Sequence, residues 1–244
     1  MRRINLPAFI VVMLFTLGVL SCKKSSSSNT SDASYYPLSV GKYVIYNVDS
    51  TIWIDSTCEE LLHSYQMRYE IVDTFTDSTK NIGYIFNVYT RPATGSGNWQ
   101  VTDIFHAVHT PLGIEETKDL LRLVKMTFPI TAGGTWQGNQ LVNTLDSDFS
   151  QYKGWQYIYQ NTRQAYNNDL VSFDNTVTVQ EDDETVNGTI SNKGHIISYR
   201  TYWKDVYAAN IGMVYSEKTH WVVDSTVSNC KKGYSVIMRA TDHN

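Results

Sequence analysis

Two histidines and a run of acidic residues are the side chains of this sequence whose types could support metal chemistry. His106 and His109 have a spacing that suits a metal site on a helix, but their segment has strand character. Residues three apart on a strand point to opposite faces of the sheet, so the two rings cannot share an ion. The run from Glu181 to Glu184 lacks the alternating Asp and Asn ligands of a calcium loop, and we interpret it as a solvated loop after a strand ending at Val179. We therefore expect no metal site.

Catalytic chemistry has equally little support in the sequence. Glu115 and Glu116 are adjacent and would diverge on a strand, so they are poorly placed to act as a general acid and base. The sequence contains no nucleophile elbow, P-loop, HExxH or dinucleotide-binding motif. We predict that the protein is not an enzyme and has neither catalytic residues nor a cofactor. A hydrolase with scattered carboxylates is the less favoured alternative, because such residues need no local motif.

Two of the three cysteines, Cys58 and Cys230, lie in the body of the chain. An even pair in an oxidising compartment is expected to form a disulfide. The segments from Trp53 to Cys58 and from Trp221 to Cys230 have similar compositions, so both could end strands at one rim of a sheet, within reach of a bridge. Chance recurrence of a common composition explains the similarity equally well. Closing so long a loop would contribute roughly 4–5 kcal/mol at most in the chain-entropy model.

The third cysteine, Cys22, ends a pattern that is typical of an export signal. Arg2 and Arg3 precede an apolar run that ends at Leu20, and Ser21 is a small residue suited to cleavage. The run is too short to be a convincing membrane span. Val19-Leu20-Ser21-Cys22 also resembles the lipobox at which bacterial lipoproteins are acylated and then cleaved.

That resemblance implies that residues 1–21 are a lipoprotein signal peptide and that Cys22 carries the acyl chains, palmitate among them. A plain signal peptide with a coincidental cysteine, or an uncleaved anchor, is the alternative. Residues 22–34 then form the lipidated cysteine and a flexible serine-rich tether, and residues 35–244 a single β-rich domain. Acyl chains would hold this domain at a membrane without a spanning helix.

The residues after Cys22 suggest a location by resemblance to lipoproteins of Gram-negative bacteria. The absence of Asp directly after the cysteine points to the outer membrane. Lys23-Lys24-Ser25 lacks the acidic residues that mark export to the cell surface in lipoproteins of the Bacteroidetes kind. We therefore favour the periplasmic leaflet of the outer membrane, with surface exposure as the alternative.

The charge balance makes nucleic acid an improbable partner. Without Arg2 and Arg3 of the signal peptide, 18 basic residues remain against 24 acidic ones, a formal balance of −6. Basic residues do not cluster with interleaved aromatic residues anywhere in the sequence.

Short alternating segments rich in Tyr, Val, Ile, Thr and Trp predict a mainly β fold. Residues 115–124 also fit a short amphipathic helix, but we favour two strands that turn near Lys118 and Asp119. The predicted strands cover residues 42–54, 65–75, 83–89, 100–108, 121–128, 155–160, 171–179, 195–203, 213–223 and 234–240.

Two further segments resemble secreted lipoproteins of uncharacterised function from Bacteroidetes-type bacteria. They are the opening segment from Tyr35 to Tyr43 and a closing segment from Val206 to Val214, in which Ala209-Asn210 stands where Gly or Pro-Gly is usual. The resemblance implies the lipoprotein-carrier fold of LolA and LolB, in which a single antiparallel sheet curls into a half-barrel around an apolar groove. A β-sandwich is the alternative fold.

This fold leads to two binding hypotheses. The first is a non-enzymatic envelope lipoprotein whose groove binds an apolar or amphiphilic ligand, or another envelope protein; most of the 17 Tyr and 6 Trp would simply pack its core. The second is a glycan-binding accessory protein with exposed Trp99, Trp136 and Trp155 as stacking platforms. Asp-Ser-Thr triplets, which resemble an O-glycosylation sequon, place modification sites at Ser50, Ser56, Ser78 and Ser225.

Overall fold

Segments in which apolar and polar side chains alternate form the twelve strands of one antiparallel sheet. The computed structural model describes residues 31–244, apart from the side chain of Asp148. The predicted signal peptide, Cys22 and the tether up to residue 30 lie outside the described residues. The strands are β1 (Tyr43–Ile54), β2 (Glu59–Thr76), β3 (Ile82–Pro92), β4 (Gln100–Thr110), β5 (Gly113–Lys118), β6 (Leu121–Thr127), β7 (Thr135–Trp136), β8 (Tyr157–Asn167), β9 (Ser172–Ile190), β10 (Ile196–Ala208), β11 (Gly212–Asp224) and β12 (Lys232–His243). Short 3₁₀ helices cover Asp32–Tyr35 and Ser147–Tyr152.

The strand order requires the sheet to curl. The order is β6-β5-β4-β3-β2-β1-β12-β11-β10-β9-β8-β7, so β6 and β7 are consecutive in sequence yet lie at opposite edges. A flat sheet of this width would hold its edges roughly 50 Å apart. The link between β6 and β7, residues 128–134, can span at most about 30 Å. The sheet therefore bends until its edges approach each other.

Hydrogen bonds join the two edges. Val124 N donates to Gly138 O at 2.7 Å, and Trp136 Nε1 donates to Val124 O at 2.7 Å. The Tyr159 hydroxyl accepts a hydrogen bond from Thr127 N and donates one to Thr127 O, both at 2.9 Å. The result is a nearly closed, barrel-like sheet, which confirms the predicted single curled sheet. The alternative of a β-sandwich is wrong, because all twelve strands belong to one hydrogen-bonded sheet. The likeness to LolA and LolB stays a prediction.

Two glycines allow aromatic rings to lie flat against the backbone of the curved sheet. A Cβ atom at Gly83 would lie 2.2 Å from the Phe75 ring, and one at Gly138 would lie 2.3 Å from the Tyr157 ring. Any side chain there would displace these rings. Glycines covered by aromatic rings are a recurrent device of strongly curved sheets.

The main core lies inside the curl. Phe86 of β3 and Phe105 of β4 stack with ring centroids 4.5 Å apart, and they belong to the same buried cluster as Tyr157 of β8 and Val177 of β9. Because strands from both halves of the sheet contribute, this cluster holds the curl closed. Each fully buried apolar side chain contributes roughly 1.5–3 kcal/mol to such packing.

The segment before β1 closes one end of the curl. Asp32 accepts a hydrogen bond from Ile130 N at 2.8 Å and pairs with Arg163 at 3.0 Å. Tyr35 and Tyr36 are buried in the core cluster. Asp32, which falls in the predicted tether, is thus bound to the far edge of the sheet.

Two local predictions have different outcomes. Residues 115–124 form two strands, β5 and β6, as predicted, and Asp119 adopts a left-handed conformation in the turn between them. The interpretation of Glu181–Glu184 as a solvated loop is wrong. Strand β9 continues through these residues to Ile190, and Glu181 is fully buried.

In the described part of the chain, no helix has the length and apolar character needed to cross a membrane.

Candidate functional site

A cavity of about 340 Å³ lies inside the curled sheet. Its volume is at the lower end of the range for small-molecule sites in proteins. Apolar and aromatic side chains make up most of its wall, and charged side chains stand among them. The apolar and aromatic part of the wall includes Tyr43, Val44, Tyr46, Met67, Tyr69, Ile71, Phe86, Phe105, Leu121, Leu123, Trp203, Tyr207, Ile211, Met213, Tyr234, Val236 and Met238.

The two-residue period of the strands brings these side chains to the inner face. On β2, Met67, Tyr69 and Ile71 line the cavity at alternate positions. On β12, Tyr234, Val236 and Met238 do the same. On these two strands the cavity wall therefore follows directly from apolar residues at every second position.

Three buried charged residues form a cluster at one side of the cavity. Lys125 of β6 forms ion pairs with Glu181 of β9 and, at 2.7 Å, with Asp205 of β10. Asp205 also accepts hydrogen bonds from Ser216 Oγ at 2.7 Å and from the Tyr207 hydroxyl at 3.1 Å. Lys125 and Asp205 line the cavity, whereas Glu181 lies behind them. The cluster joins strands that are far apart in the sheet order, and so it spans the inside of the curl.

Two β-bulges carry Lys125 and Glu181. Across β5 and β6, Ile114 faces Met126 and Glu115 faces Val124, which leaves Lys125 as the extra residue. A bulge inserts one residue into a strand and redirects its side chain.

The second bulge lies between β9 and β10. Trp203 faces Asp182 and Lys204 faces Gln180, so Glu181 is the extra residue. The Gln180 amide donates to the carbonyl oxygens of Asp182 and Trp203, at 2.8 and 2.9 Å. These bonds satisfy backbone groups at the bulge and fix its shape.

The cluster is electrostatically coupled. Burial by itself would lower the pKa of Lys125, but Asp205 and Glu181 outweigh it and raise the pKa well above its usual value. Burial would raise the pKa of Asp205, yet Lys125 holds it well below the usual range. For Glu181 burial prevails over Lys125, and the pKa is raised. Lys125 and Asp205 therefore form the charged pair, and Glu181 is the carboxyl group that takes up a proton more readily.

Another carboxylate in the cavity has a phenol as its partner. The Tyr36 hydroxyl donates to Glu116 Oε2 at 2.8 Å. Burial, with the charge of Glu116, raises the pKa of Tyr36 well above its usual value, so the phenol stays a donor. The segment that closes the curl is thus tied to the cavity wall by this bond.

A second, more open groove of about 810 Å³ adjoins the cavity. Met67 and Lys118 line both spaces, which places the groove next to one end of the cavity. Its other residues are mostly polar, among them His63, Arg91 and Asp103. A mainly apolar cavity and a groove lined by several polar residues are therefore adjacent, an arrangement that suits a ligand with both kinds of surface.

The structure pairs the two body cysteines. Cys58 and Cys230 form a disulfide with their Cα atoms 5.1 Å apart, which confirms that prediction. Cys58 lies in the turn after β1 and Cys230 in the turn before β12, so the bridge joins two hairpin ends at one rim of the sheet.

One of the three tryptophans assigned to glycan stacking is packed inside the protein, and the other two are half-buried. Trp155 is 6% exposed and packs edge-on against Trp203. The expectation that it is exposed is wrong, because curling brings it into the core. Trp136 packs against Tyr159, and its indole N–H donates to Val124 O across the closing edges of the sheet. Trp99 is half-buried, with the Arg91 guanidinium 4.1 Å from its ring centroid.

The remaining assigned residues are dispersed over the surface. Ser56, Ser78 and Ser225 are exposed in turns, while Ser50 lies on β1 and donates to His63 O at 3.0 Å. O-glycosylation at these serines stays a prediction, as does acylation of Cys22.

Within residues 31–244, no group of three or more His, Cys, Asp or Glu side chains is placed to hold a metal ion.

Lys125 and Asp205 were not among the residues predicted from the sequence, and Glu181 was predicted to lie in a solvated loop. A signal for Lys125 was present, since Leu121 and Leu123 alternate with it on β6 and all three line the cavity. A charged residue at the inward position of an otherwise apolar strand is a reason to look for a buried partner.

Comparison with known proteins gives only distant likenesses. No family model matches the chain, and no curated protein matches it. One similar solved structure is a protein from Bacteroides fragilis described as exported and as having a YmcC-like fold, with 12% identity, coverage of 85% of this chain and 98% of that chain, and a TM-score of 0.34. Another is a protein from Parabacteroides distasonis described as a lipoprotein, with 10% identity, the same two coverages and a TM-score of 0.25.

Proposed function

We propose that this chain is a non-enzymatic lipoprotein, anchored through Cys22 in the outer membrane on its periplasmic face, that binds an amphiphilic ligand inside its curled sheet. The lipobox-like segment at Cys22 supports the anchor. The observation that carries the binding function is the cavity of about 340 Å³, with its mostly apolar wall and its few charged groups. Sites for small molecules commonly combine an apolar wall with a few polar groups that orient the ligand.

The arrangement of the charged cluster favours binding over hydrolysis. Asp205 is occupied by Lys125, Ser216 and Tyr207, and Glu181 lies behind the cavity wall. A pair of carboxylates that cleaves a glycosidic bond must flank the substrate. Asp205 and Glu181 instead share one lysine, so they are placed to hold the strands and set the charge of the wall.

The other partner classes are weaker candidates. Glycan stacking now rests on the half-buried Trp99 and Trp136. The Arg91 guanidinium already lies over the Trp99 ring, and the Trp136 ring already packs against Tyr159. Another envelope protein, bound at the rim of the sheet, stays the alternative partner to an amphiphilic ligand. The acidic charge balance of the sequence disfavours nucleic acid as a partner.

An apolar fluorescent dye tests the cavity directly. Leu121 lines the cavity, whereas its neighbour Leu120 is 84% exposed. We expect the dye to brighten with the unmodified protein and with Leu120→Trp, and to lose most of this enhancement with Leu121→Trp, whose larger ring fills the space. Equal enhancement in both variants would show that the dye binds elsewhere and would contradict the proposal. Circular dichroism of both variants serves as the control for folding.

A further inference from the structure

The charged side chains that line the cavity differ in whether they have partners. Lys42 donates to the carbonyl oxygens of Asn210 and Asn244, Lys118 pairs with Asp103 at 2.5 Å, and Lys125 pairs with Asp205 at 2.7 Å. Among the described residues, Lys218 is the one charged group of the wall for which neither a hydrogen bond nor an ion pair is found. The charged side chains of the wall are Lys42, Glu116, Lys118, Lys125, Asp205 and Lys218.

The Lys218 ammonium is nevertheless held in a defined place. Lys218 lies directly opposite Trp203 in the pairing of β10 with β11, and its Nζ stands 4.6 Å from the centroid of the Trp203 ring. A cation over an aromatic face is attracted by the ring. This contact orients the ammonium and leaves its N–H donors unused.

Two carboxylates, Asp205 and Glu181, attract Lys218 without forming an ion pair with it. Both are bound to Lys125, and Asp205 also accepts from Ser216, two residues before Lys218 on β11. Glu116 accepts from Tyr36. A half-buried ammonium without an acceptor has lost part of its hydration, and this makes an incoming anion a favourable partner.

We propose that Lys218 binds the anionic head group of the ligand, so that the cavity selects anionic single-chain amphiphiles over neutral ones. This inference rests on the proposed ligand-binding function. The apolar wall would hold the chain, and the ammonium over Trp203 would hold a carboxylate or phosphate head. The selectivity would come from a charge-assisted hydrogen bond, which is about twice as strong as a neutral one.

Two probes that differ only in charge test the proposal. They are 11-(dansylamino)undecanoic acid and its methyl ester, titrated into residues 22–244 with Cys22→Ala, which contain every described residue. We expect the acid to bind the unmodified cavity at least about tenfold more tightly than the ester. In Lys218→Gln the acid is expected to lose about tenfold in affinity while the ester is unchanged, and Lys218→Arg is expected to retain the preference.

Competition distinguishes an amphiphile from a free anion. Dodecanoate and dodecyl phosphate are expected to displace the acid probe, and inorganic phosphate at the same concentration is not. Displacement by inorganic phosphate would overturn the assignment of an amphiphile, because it would show an anion site that needs no chain.

A lysine outside the cavity provides the control for charge. Lys193→Gln, in the exposed turn between β9 and β10, removes the same charge and is expected to leave both affinities unchanged. Urea denaturation of Lys218→Gln and Lys193→Gln is expected to show a single cooperative transition for each, which checks that both variants are folded. Equal binding of both probes to the unmodified protein, or an equal loss of both in Lys218→Gln, would overturn the role of Lys218 and leave the proposed cavity standing. If neither probe binds the unmodified protein, the proposed function fails as well.

Discussion

Lys125 holds two carboxylates that belong to the other half of the sheet. Removing its charge would leave Asp205 and Glu181 buried without the cation that pairs with both of them. Removing one partner of a buried ionic group commonly costs about 3–5 kcal/mol, far more than the loss of a surface pair. We expect Lys125→Met to lower the free energy of unfolding by about that amount, as measured by urea denaturation.

Arg122, on the same strand, is a matched control for this prediction. It pairs with Glu115, and its side chain is 53% exposed. Arg122→Met is expected to change the free energy of unfolding by less than about 1 kcal/mol. Similar losses in both variants would show that Lys125 contributes no more than a surface cation.

Asp182, next to the bulge at Glu181, gives a prediction of pH dependence. Burial, with the nearby carboxylate of Glu184, raises the pKa of Asp182 to about 6. The unfolded value is about 3.9, so the folded state binds the proton more tightly. The stabilising contribution of the bound proton on Asp182 is therefore fully present below about pH 4 and is lost as the pH rises through about 6.

Replacing Asp182 removes this dependence. We expect Asp182→Asn to gain stability relative to the unmodified protein as the pH is raised from 4 to 7, as measured by urea midpoints at intervals of half a pH unit. Asp174→Asn, at an exposed position of β9, is the control and is expected to show no such trend. A constant difference between Asp182→Asn and the unmodified protein across this range would contradict the raised pKa.

Residue-scale prediction from sequence succeeded where one local pattern decides the outcome. The separation of His106 and His109 followed from strand alternation, and both lie on β4. The exposure of Trp136 and Trp155 was predicted from polar neighbours in sequence, but it depends on how the sheet edges meet. The meeting of Lys125 with Asp205 depends on residues 80 positions apart, which no local pattern brings together.

At the scale of elements, the disulfide joins the two hairpin ends that flank the central strands β1 and β12. It links residues 172 positions apart. In the chain-entropy model a loop of that length gives about 5 kcal/mol of stability as an upper bound. We expect Cys58→Ser with Cys230→Ser to lower the free energy of unfolding by a few kcal/mol and to leave the circular dichroism spectrum unchanged.

Reductant supplies the control for the disulfide. The double variant is expected to unfold at the same urea concentration with and without dithiothreitol, whereas the unmodified protein is expected to shift to lower urea when reduced. An unmodified protein that is insensitive to reductant would show that the bridge adds no stability.

The strands were predictable even in a segment with two possible readings. Residues 115–124, whose pattern also fits a short helix, form the two predicted strands β5 and β6. Strand β9 was predicted to end at Val179 because four acidic residues follow, yet it runs to Ile190. Two tertiary interactions outweigh the local preference of these residues for solvent: the strand pairs with β10, and Glu181 forms an ion pair with Lys125 of β6.

For the whole molecule, curling is the step that creates the site. The short link between β6 and β7 brings the sheet edges together, and this encloses the inner face around a cavity. The sequence indicated a single curled sheet, mainly through resemblance. Neither the volume of the cavity nor the charges on its wall could be predicted, because they depend on which strands face each other across the curl.

The central claim is that this cavity holds an amphiphile, and native mass spectrometry tests it most directly. Residues 22–244 with Cys22→Ala would be exported to the periplasm of an expressing bacterium, purified without detergent and measured beside Leu120→Trp and Leu121→Trp. We expect a reproducible extra mass, equal to that of an anionic single-chain amphiphile, on the unmodified chain and on Leu120→Trp, and its loss from Leu121→Trp. A bare protein mass in all three samples, while a known lipid-binding protein prepared alongside keeps its lipid, would contradict the claim.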